Sequence, residues 1–424
     1  MWYDTLYEVL TIINNIILCL IGIPFFLQVV YMILFWVKKK VYPKSSIKHK
    51  AAIIIAARNE ESVIYNTVKH IYEDQNYPKD KFDVYVVAHN CTDKTAELAE
   101  KAGAKVFVLN DPDKKRHIVC YALKYGINEI IKTGINYDFF IRFDADNHIC
   151  PDFISLMNDC YSSGVELACP YESALNISQN NFTQACGLYY IFNSRFGGRV
   201  RERLGLSAHL NGPGMMFSSN IAKKYGYDCE TICEDTEFSF KRLLDGYKAH
   251  YVEDAVVYED LPSTMRDTYA RNIRLGSGNI ILLKKYSLKL LANLFRFRKG
   301  SLSSLEQILT FSFIPLCPIL CIYLPVFYIY SALHLGLTGQ YNALINMLIL
   351  IGSILLFLFI FMGILQGFVL VLLDYKKMGV KKRRELTKGI LLFPAFTVVY
   401  CVTITFGVFS KPRWIPIKRN PSAA

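Results

Sequence analysis

Four long stretches of this chain carry almost no charge, and they constrain its architecture more than any other feature. Residues 11–37 (TIINNIILCLIGIPFFLQVVYMILFWV) contain no charged side chain, and neither do 343–373 or 389–410. Residues 306–332 contain one, Glu306 at the edge. A bilayer core takes about 20 apolar residues in a helix, and uncharged runs of this length are rare in soluble cores. All four are therefore expected to be membrane segments. The leading MWYDTLYEVL has Asp4 and Glu8, no basic residue and no small-residue cleavage site after it, so the first segment is expected to be a retained anchor rather than a secretory signal.

The net charge of +12 is concentrated beside these runs. Residues 38–50, 281–300 and 375–388 each carry +6, which leaves −6 on the rest of the chain. Basic residues flanking apolar segments mark the cytosolic side of a membrane, so the long region between the first two runs is expected to face the cytosol. Their placement suits lipid headgroups and argues against nucleic acid as a partner. Twelve cysteines occur with no CxxC pair, and in a reducing compartment all are expected to be thiols. Crossing four times leaves the tail outside, yet KPRWIPIKR has four basic residues that prefer the inside. A re-entrant 389–410, which contains Pro394, would resolve the conflict.

The central region alternates strand and helix patterns. KAAIIIAARNEE (50–61), FDVYVVAHN (82–90), KVFVL (105–109) and YDFFIRFDADN (137–147) read as strands. Helical spacing covers 62–75, 92–106 (Thr92 or Asp93 as cap, Gly103 as stop) and 118–132. Such alternation predicts an α/β, doubly wound, mostly parallel sheet covered on both faces. Ligands bind such sheets beyond the carboxyl ends of the strands. Arg58, Asn59, Glu60, His89, Asn90, Asp144 and Asp146 all lie at those ends.

Asp144 and Asp146 are spaced i, i+2, which on a strand points both carboxylates the same way. Hard oxygen ligands of that kind suit a divalent cation that bridges a phosphate. Further on, LNGPGMMFSS (210–219) is a Gly/Pro-rich loop, and TICEDTEFSFKRLLDGYK (231–248) starts an amphipathic helix with Glu234 and Asp235. YARNIRLGSGN (269–279) puts Arg271 and Arg274 on one helical face, where two planar guanidiniums match a diphosphate. ILLKKYSLKLLANLFRFRKG (281–300) interleaves apolar and basic residues and reads as an interfacial helix on anionic lipid.

The order AARNEE, NCTDKTAELAEKAGA, FDADN, NGPGM, CEDTEFSFKRLLDGYK, RNIRLGSGN, followed by apolar segments and KPRWIPIK, resembles the membrane-embedded family 2 glycosyltransferases. That group includes cellulose, chitin, hyaluronan and poly-N-acetylglucosamine synthases. The resemblance implies a GT-A-type α/β domain plus an α-helical transmembrane region. It implies Asp144 and Asp146 as ligands of Mg²⁺ or Mn²⁺, and Asp235 as the general base. Arg271 and Arg274 would contact the donor diphosphate, and Asn59 and Glu60 would border the nucleoside. Gly212, Gly214, Glu234 and Leu275 would lie on the acceptor side. Where relatives have a base-contacting aspartate this chain has His89, with Asp83 and Asp93 nearby to compensate. Where they have a Gly-Lys pair it has KKRHIVCYAL, so Lys115 or Arg116 would supply the cation. Leu275 replaces the motif tryptophan.

The implied partners are a UDP-sugar (UDP-N-acetylglucosamine or UDP-glucose), a glycan or polysaccharide acceptor, and membrane lipid. Loading of a sugar onto a polyprenyl phosphate, and an inactive relative with a binding role, are the alternatives. The expected division is an anchor over 1–47, a cytosolic transferase domain over 48–280 and an interfacial helix over 281–304. Transmembrane segments over 305–410 and a tail over 411–424 complete it. If the acids and arginines do not share a cavity, the enzyme reading fails.

Overall fold

A computed structural model describes residues 2–34, 36–296 and 300–412, so most of the 411–424 tail lies outside the described residues. Eight strands form one sheet: β1 (Ala51–Ala57), β2 (Phe82–His89), β3 (Lys105–Leu109), β4 (Phe139–Asp144), β5 (His148–Ile149), β6 (Leu167–Ala174), β7 (Met215–Ser218) and β8 (His250–Glu259). Their order is β3-β2-β1-β4-β7-β6-β8-β5. The β3-β2-β1-β4 half is parallel throughout. β7 is antiparallel to both its neighbours, while β6 and β8 pair in parallel.

The apolar runs give this sheet two cores because successive side chains on a strand point to opposite faces. Ile54, Val87 and Phe140 enter one core, against Leu123, Ile127 and Ile130 of the Val119–Lys132 helix. Ile53, Ile55, Val84, Val86 and Phe143 enter the other, against Ile64, Val68 and Ile71 of the Ile64–Asp74 helix. The α/β, doubly wound, mostly parallel arrangement is therefore as expected.

Three local expectations shift. The strand expected over 137–147 stops at Asp144; Ala145 and Asp146 form a turn, and β5 then pairs with β8. The helix expected over 92–106 is shorter, Thr95–Lys101, because the Asp93 carboxylate accepts from Thr95 N (3.1 Å) and holds the preceding turn. Gly103, at φ +100°, ends that helix in the left-handed region that favours glycine. Finally, the arginine pair and much of the basic, apolar run belong to one helix, Met265–Leu294, so residues 280 and 281 sit inside it.

Four helical stretches are long and apolar enough to cross a membrane: Asp4–Leu34, Ser301–Leu337, Tyr341–Asp374 and Arg383–Val408. Buried polar contacts tie the first three to the α/β domain. Glu306 accepts from Arg201 Nη2 (2.7 Å) and from Tyr31 Oη (2.7 Å), joining the first and second stretches to the domain. Arg195 bridges Glu253 of β8 and Asp374, with Nε 3.0 Å from Asp374 Oδ2. All twelve cysteines are free thiols.

Candidate active site

The carboxyl ends of β1, β2 and β4 open onto one cavity. Arg58 and Glu60 reach it from the loop after β1, His89 from the end of β2, and Asp144 and Asp146 from the end of β4. Glu234 and Asp235 enter from the first turn of the Glu234–Leu244 helix. Arg271, Arg274 and Leu275 enter from the Met265–Leu294 helix. Acids and arginines separated by more than a hundred residues thus share a single wall.

The i, i+2 rule operates here on a different pair. Asp146 is in the turn, whereas Arg142 and Asp144 are both on β4. Arg142 is buried, and its Nη2 donates to Asp144 Oδ1 (2.8 Å) and to Glu234 Oε1 (3.1 Å). This guanidinium welds the strand-end acid to the helix-end acid. Sequence reasoning gave Arg142 no role, although the spacing RFD carried the signal.

Gly212 serves that guanidinium. Its φ is +99°, and a Cβ there would collide with Arg142 Nη1 and come 3.5 Å from Asp235 Oδ2. Gly212→Ala is expected to destabilise the protein by about 1–3 kcal/mol through backbone strain alone, with further loss from displacing Arg142. Thermal unfolding in lipid nanodiscs measures it. Gly214 belongs to the same loop; its N donates to Arg142 O (2.8 Å), and a Cβ would strike Pro170 and Phe153. Both glycines shape the wall from behind and do not line it.

Burial and the neighbouring Asp235 charge push the Glu234 carboxyl up to about 7, against the lowering effect of Arg142. Asp235 Oδ1 accepts from Thr236 N (2.6 Å), which leaves Oδ2 on the side of Gly212. Arg271 lies 4.4 Å over the Tyr190 ring and donates from Nη2 to Glu259 Oε2 (3.4 Å) at the end of β8. The half-buried Arg274 makes no ion pair among the described residues. It faces the cavity as an available cation.

His89 is 3% exposed, and its Nε2 is buried without a hydrogen-bond partner among the described residues. Burial, then His117 and Arg58, lower its pKa to about 4. It is a neutral imidazole at physiological pH, able to meet a ligand atom but not to carry charge.

Several expected residues lie off the wall. Asn59, at φ +55°, uses its side chain to brace the loop, accepting from Thr92 N (2.8 Å). Asp93 accepts from Glu61 N (3.2 Å) and from the Thr95 hydroxyl (2.5 Å), so it braces the same loop. Asp83 is at the far end of β2, bonded to Lys105 (2.8 Å) and Tyr137 (2.5 Å). Lys115 and Arg116 lie in a short turn outside the cavity, with Arg116 3.8 Å from Asp111. The cation on that side is Arg58, whose Nη1 donates to His117 O (3.3 Å).

The donor set fits a divalent cation. Seven carboxylates line the cavity against four guanidiniums, a formal excess of three negative charges. No three His, Cys, Asp or Glu side chains among the described residues already form a complete metal cage. A hard cation held by Asp144 and Asp146 would therefore complete its shell with water and phosphate oxygens, the arrangement Mg²⁺ and Mn²⁺ favour.

Comparison with known proteins gives the fold and the family. The chain is 25% identical over 262 residues to a probable glycosyltransferase, YdaM, of Bacillus subtilis, covering 59% of each chain. It is 24% identical over 232 residues to the beta-monoglucosyldiacylglycerol synthase of Nostoc, covering 54% of this chain and 48% of that one. It thus spans about half to three fifths of the length of these relatives. A solved mannosyltransferase from Pyrobaculum calidifontis, in complex with GDP-Man and Mn²⁺, superposes with a TM-score of 0.54 at 17% identity, over 90% of this chain and 95% of that one. That likeness shows the fold. The family model of glycosyl transferase family group 2 matches residues 139–373, more than half of the sequence, and the chain belongs to that family.

Proposed function

We propose that this protein is a membrane-associated, inverting glycosyltransferase that moves a sugar from a nucleoside diphosphate sugar, UDP-linked in the first instance, to a lipid-borne acceptor hydroxyl. The observation that carries the reading is the single cavity shared by Asp144, Asp146, Asp235, Arg271 and Arg274. Asp235 takes the acceptor proton as the hydroxyl attacks the anomeric carbon. Arg274 and Arg271 offset the charge that grows on the departing diphosphate. Asp144 and Asp146 would hold Mg²⁺ or Mn²⁺, which supplies Lewis-acid stabilisation of that leaving group. Glu60 and His89 border the nucleoside end. A single base and direct displacement give inversion.

Two features support a lipid-borne acceptor over a growing polymer. The cavity residues Ile232, Cys233 and Leu275 belong to an apolar cluster that also holds Phe311, Ile314, Cys317 and Ile404 of the membrane helices. Leucine at 275 gives a sugar chain no aromatic platform. The Nostoc relative's printed name, a glucosyldiacylglycerol synthase, points the same way.

The test uses purified full-length protein in nanodiscs with Mn²⁺, membrane lipid extract and labelled UDP- and GDP-sugars. Label in the organic phase is expected. Label only in water-soluble polymer would move the reading to polysaccharide extension. No nucleoside diphosphate released from any donor would end the enzyme reading. Asp146→Asn is expected to raise the Mn²⁺ concentration needed for half-maximal transfer by about tenfold or more, read from a metal titration.

A further inference from the structure

The third and last apolar stretches pack side by side. A Cβ on Gly363 would collide with Pro394, and one on Gly367 would stand 3.5 Å from Ile390, so the two run antiparallel. Beside this seam lies a groove of about 550 Å³, a volume within the range of ligand sites. Ile364, Val371 and Ile390 line it, together with Leu365, Phe368 and Leu391, which are exposed. One wall is the π-helical turn Ile360–Leu365, a departure from α-helical geometry that is frequent at functional sites.

The groove is apolar except at one end. There it is lined by Arg383, Arg384 and Thr387, on the turn that leads into the last stretch. Both arginines are exposed and make no ion pair among the described residues. Arg383 lies 4.9 Å from the centre of the Tyr375 ring, which places the basic end beside Leu372 and away from Ile360. No carboxylate lines the groove. The acids near it in the chain are held elsewhere: Glu385 Oε1 accepts from Lys382 N (2.9 Å), and Asp374 Oδ2 is 3.0 Å from Arg195 Nε. The two positive charges therefore stand unneutralised at the mouth of an apolar slot.

The turn that carries them is fixed before any ligand arrives. The Thr387 hydroxyl donates to Arg384 O (2.9 Å). Gln184 of the α/β domain donates from Nε2 to Glu385 O (3.1 Å) and accepts from Gly389 N at Oε1 (3.0 Å). Groups held in this way lose little freedom on binding. From Ile360 to Leu372 the groove extends about 18 Å at about 1.5 Å per residue. One leaflet of a hydrocarbon core is about 15 Å thick, half of the whole. In length, apolarity and terminal charge the groove matches a lipid, with an acyl chain along the slot and a phosphate on the paired guanidiniums.

We propose that this groove binds one anionic glycerophospholipid from the bilayer, its acyl chain against Ile364, Val371 and Ile390 and its phosphate on Arg383 and Arg384. A zwitterionic headgroup would bring a cation of its own beside the two arginines, so a lipid of net negative charge is favoured. The site shares no residue with the catalytic cavity. The inference rests on the membrane association proposed above and not on the sugar-transfer reaction.

The test is native mass spectrometry of full-length protein released from nanodiscs that mix phosphatidylcholine and phosphatidylglycerol. The protein is expected to retain one phosphatidylglycerol in preference to phosphatidylcholine. Each basic residue near an anionic lipid surface contributes about fivefold to binding, so Arg383→Gln with Arg384→Gln is expected to weaken retention about 25-fold. Leu365→Trp fills the slot and is expected to abolish retention with both arginines intact. Lys381→Gln with Lys382→Gln, exposed basic residues of the same loop that do not line the groove, is expected to change it little. Thermal unfolding in pure phosphatidylcholine checks that each variant is folded, and added phosphatidylglycerol is expected to raise the unfolding temperature of the wild type but not of the arginine variant. Equal retention of the two lipids by the wild type would overturn the proposal, as would equal losses in the arginine and lysine variants. Displacement of the lipid by inorganic phosphate would assign the arginines to a free anion and overturn it as well.

Discussion

Asp235→Asn is expected to lower sugar transfer by about 10²–10⁴-fold, the usual contribution of a positioned general base, with donor affinity almost unchanged. The amide has the same shape and can keep the contact with Thr236 N, so the helix end and the loop at Gly212 stay in place. What it loses is the capacity to take a proton from the acceptor. Glu234, one residue earlier, is a poor substitute because its Oε1 is held by Arg142. Product formation under single turnover, together with nucleotide binding by calorimetry, separates the two effects. Equal losses in binding and rate would mean that Asp235 holds the donor rather than acting as the base.

Replacing Arg142 by methionine is expected to destabilise the protein by about 3–5 kcal/mol at neutral pH, the usual consequence of removing one partner of a buried ion pair. The guanidinium is buried between Asp144 and Glu234, and its loss leaves the Glu234 carboxylate enclosed beside Asp235. The effect has a pH signature. Burial and Asp235 already raise the Glu234 carboxyl to about 7, and Arg142 is the group that opposes them. Without it the folded-state value rises further above the unfolded one. A raised carboxyl favours folding at low pH, and that advantage disappears as pH climbs through the folded value. The variant should therefore lose less stability at pH 5 than at pH 8 by thermal unfolding in nanodiscs. A loss that is the same at both pH values would show that packing, not charge, sets the effect.

Much of the site was legible because strand ends announce themselves. An apolar run that stops at a polar cluster, as at Ala57–Arg58 or Asp144, predicts both a strand and the edge of a cleft. That rule picked out Glu60, His89, Asp144 and Asp146, and helical spacing Arg271 and Arg274, all of which line one cavity. It failed where a polar side chain is spent on the backbone. Asn59 and Asp93 have suitable chemistry, yet their oxygens accept from nearby loop N–H groups and they lie off the cavity wall. It also missed Arg142: the i, i+2 spacing already put this arginine on the side of Asp144, but its second partner, Glu234, comes ninety-two positions later.

The sequence by itself determined the layer architecture and the four helices long and apolar enough to cross a membrane, because both follow from local periodicity and from uncharged length. Only the tertiary structure decided which acids are locked to which arginine, and what separates the last apolar helix from the other three. Hydropathy adds up both faces of a helix. It gives the same sum whether the second face meets lipid or the aromatic side chains of a folded domain, as Phe396 and Tyr400 do. Distinguishing the two requires knowing what lies on each side, and that is fixed by contacts between residues far apart in the chain.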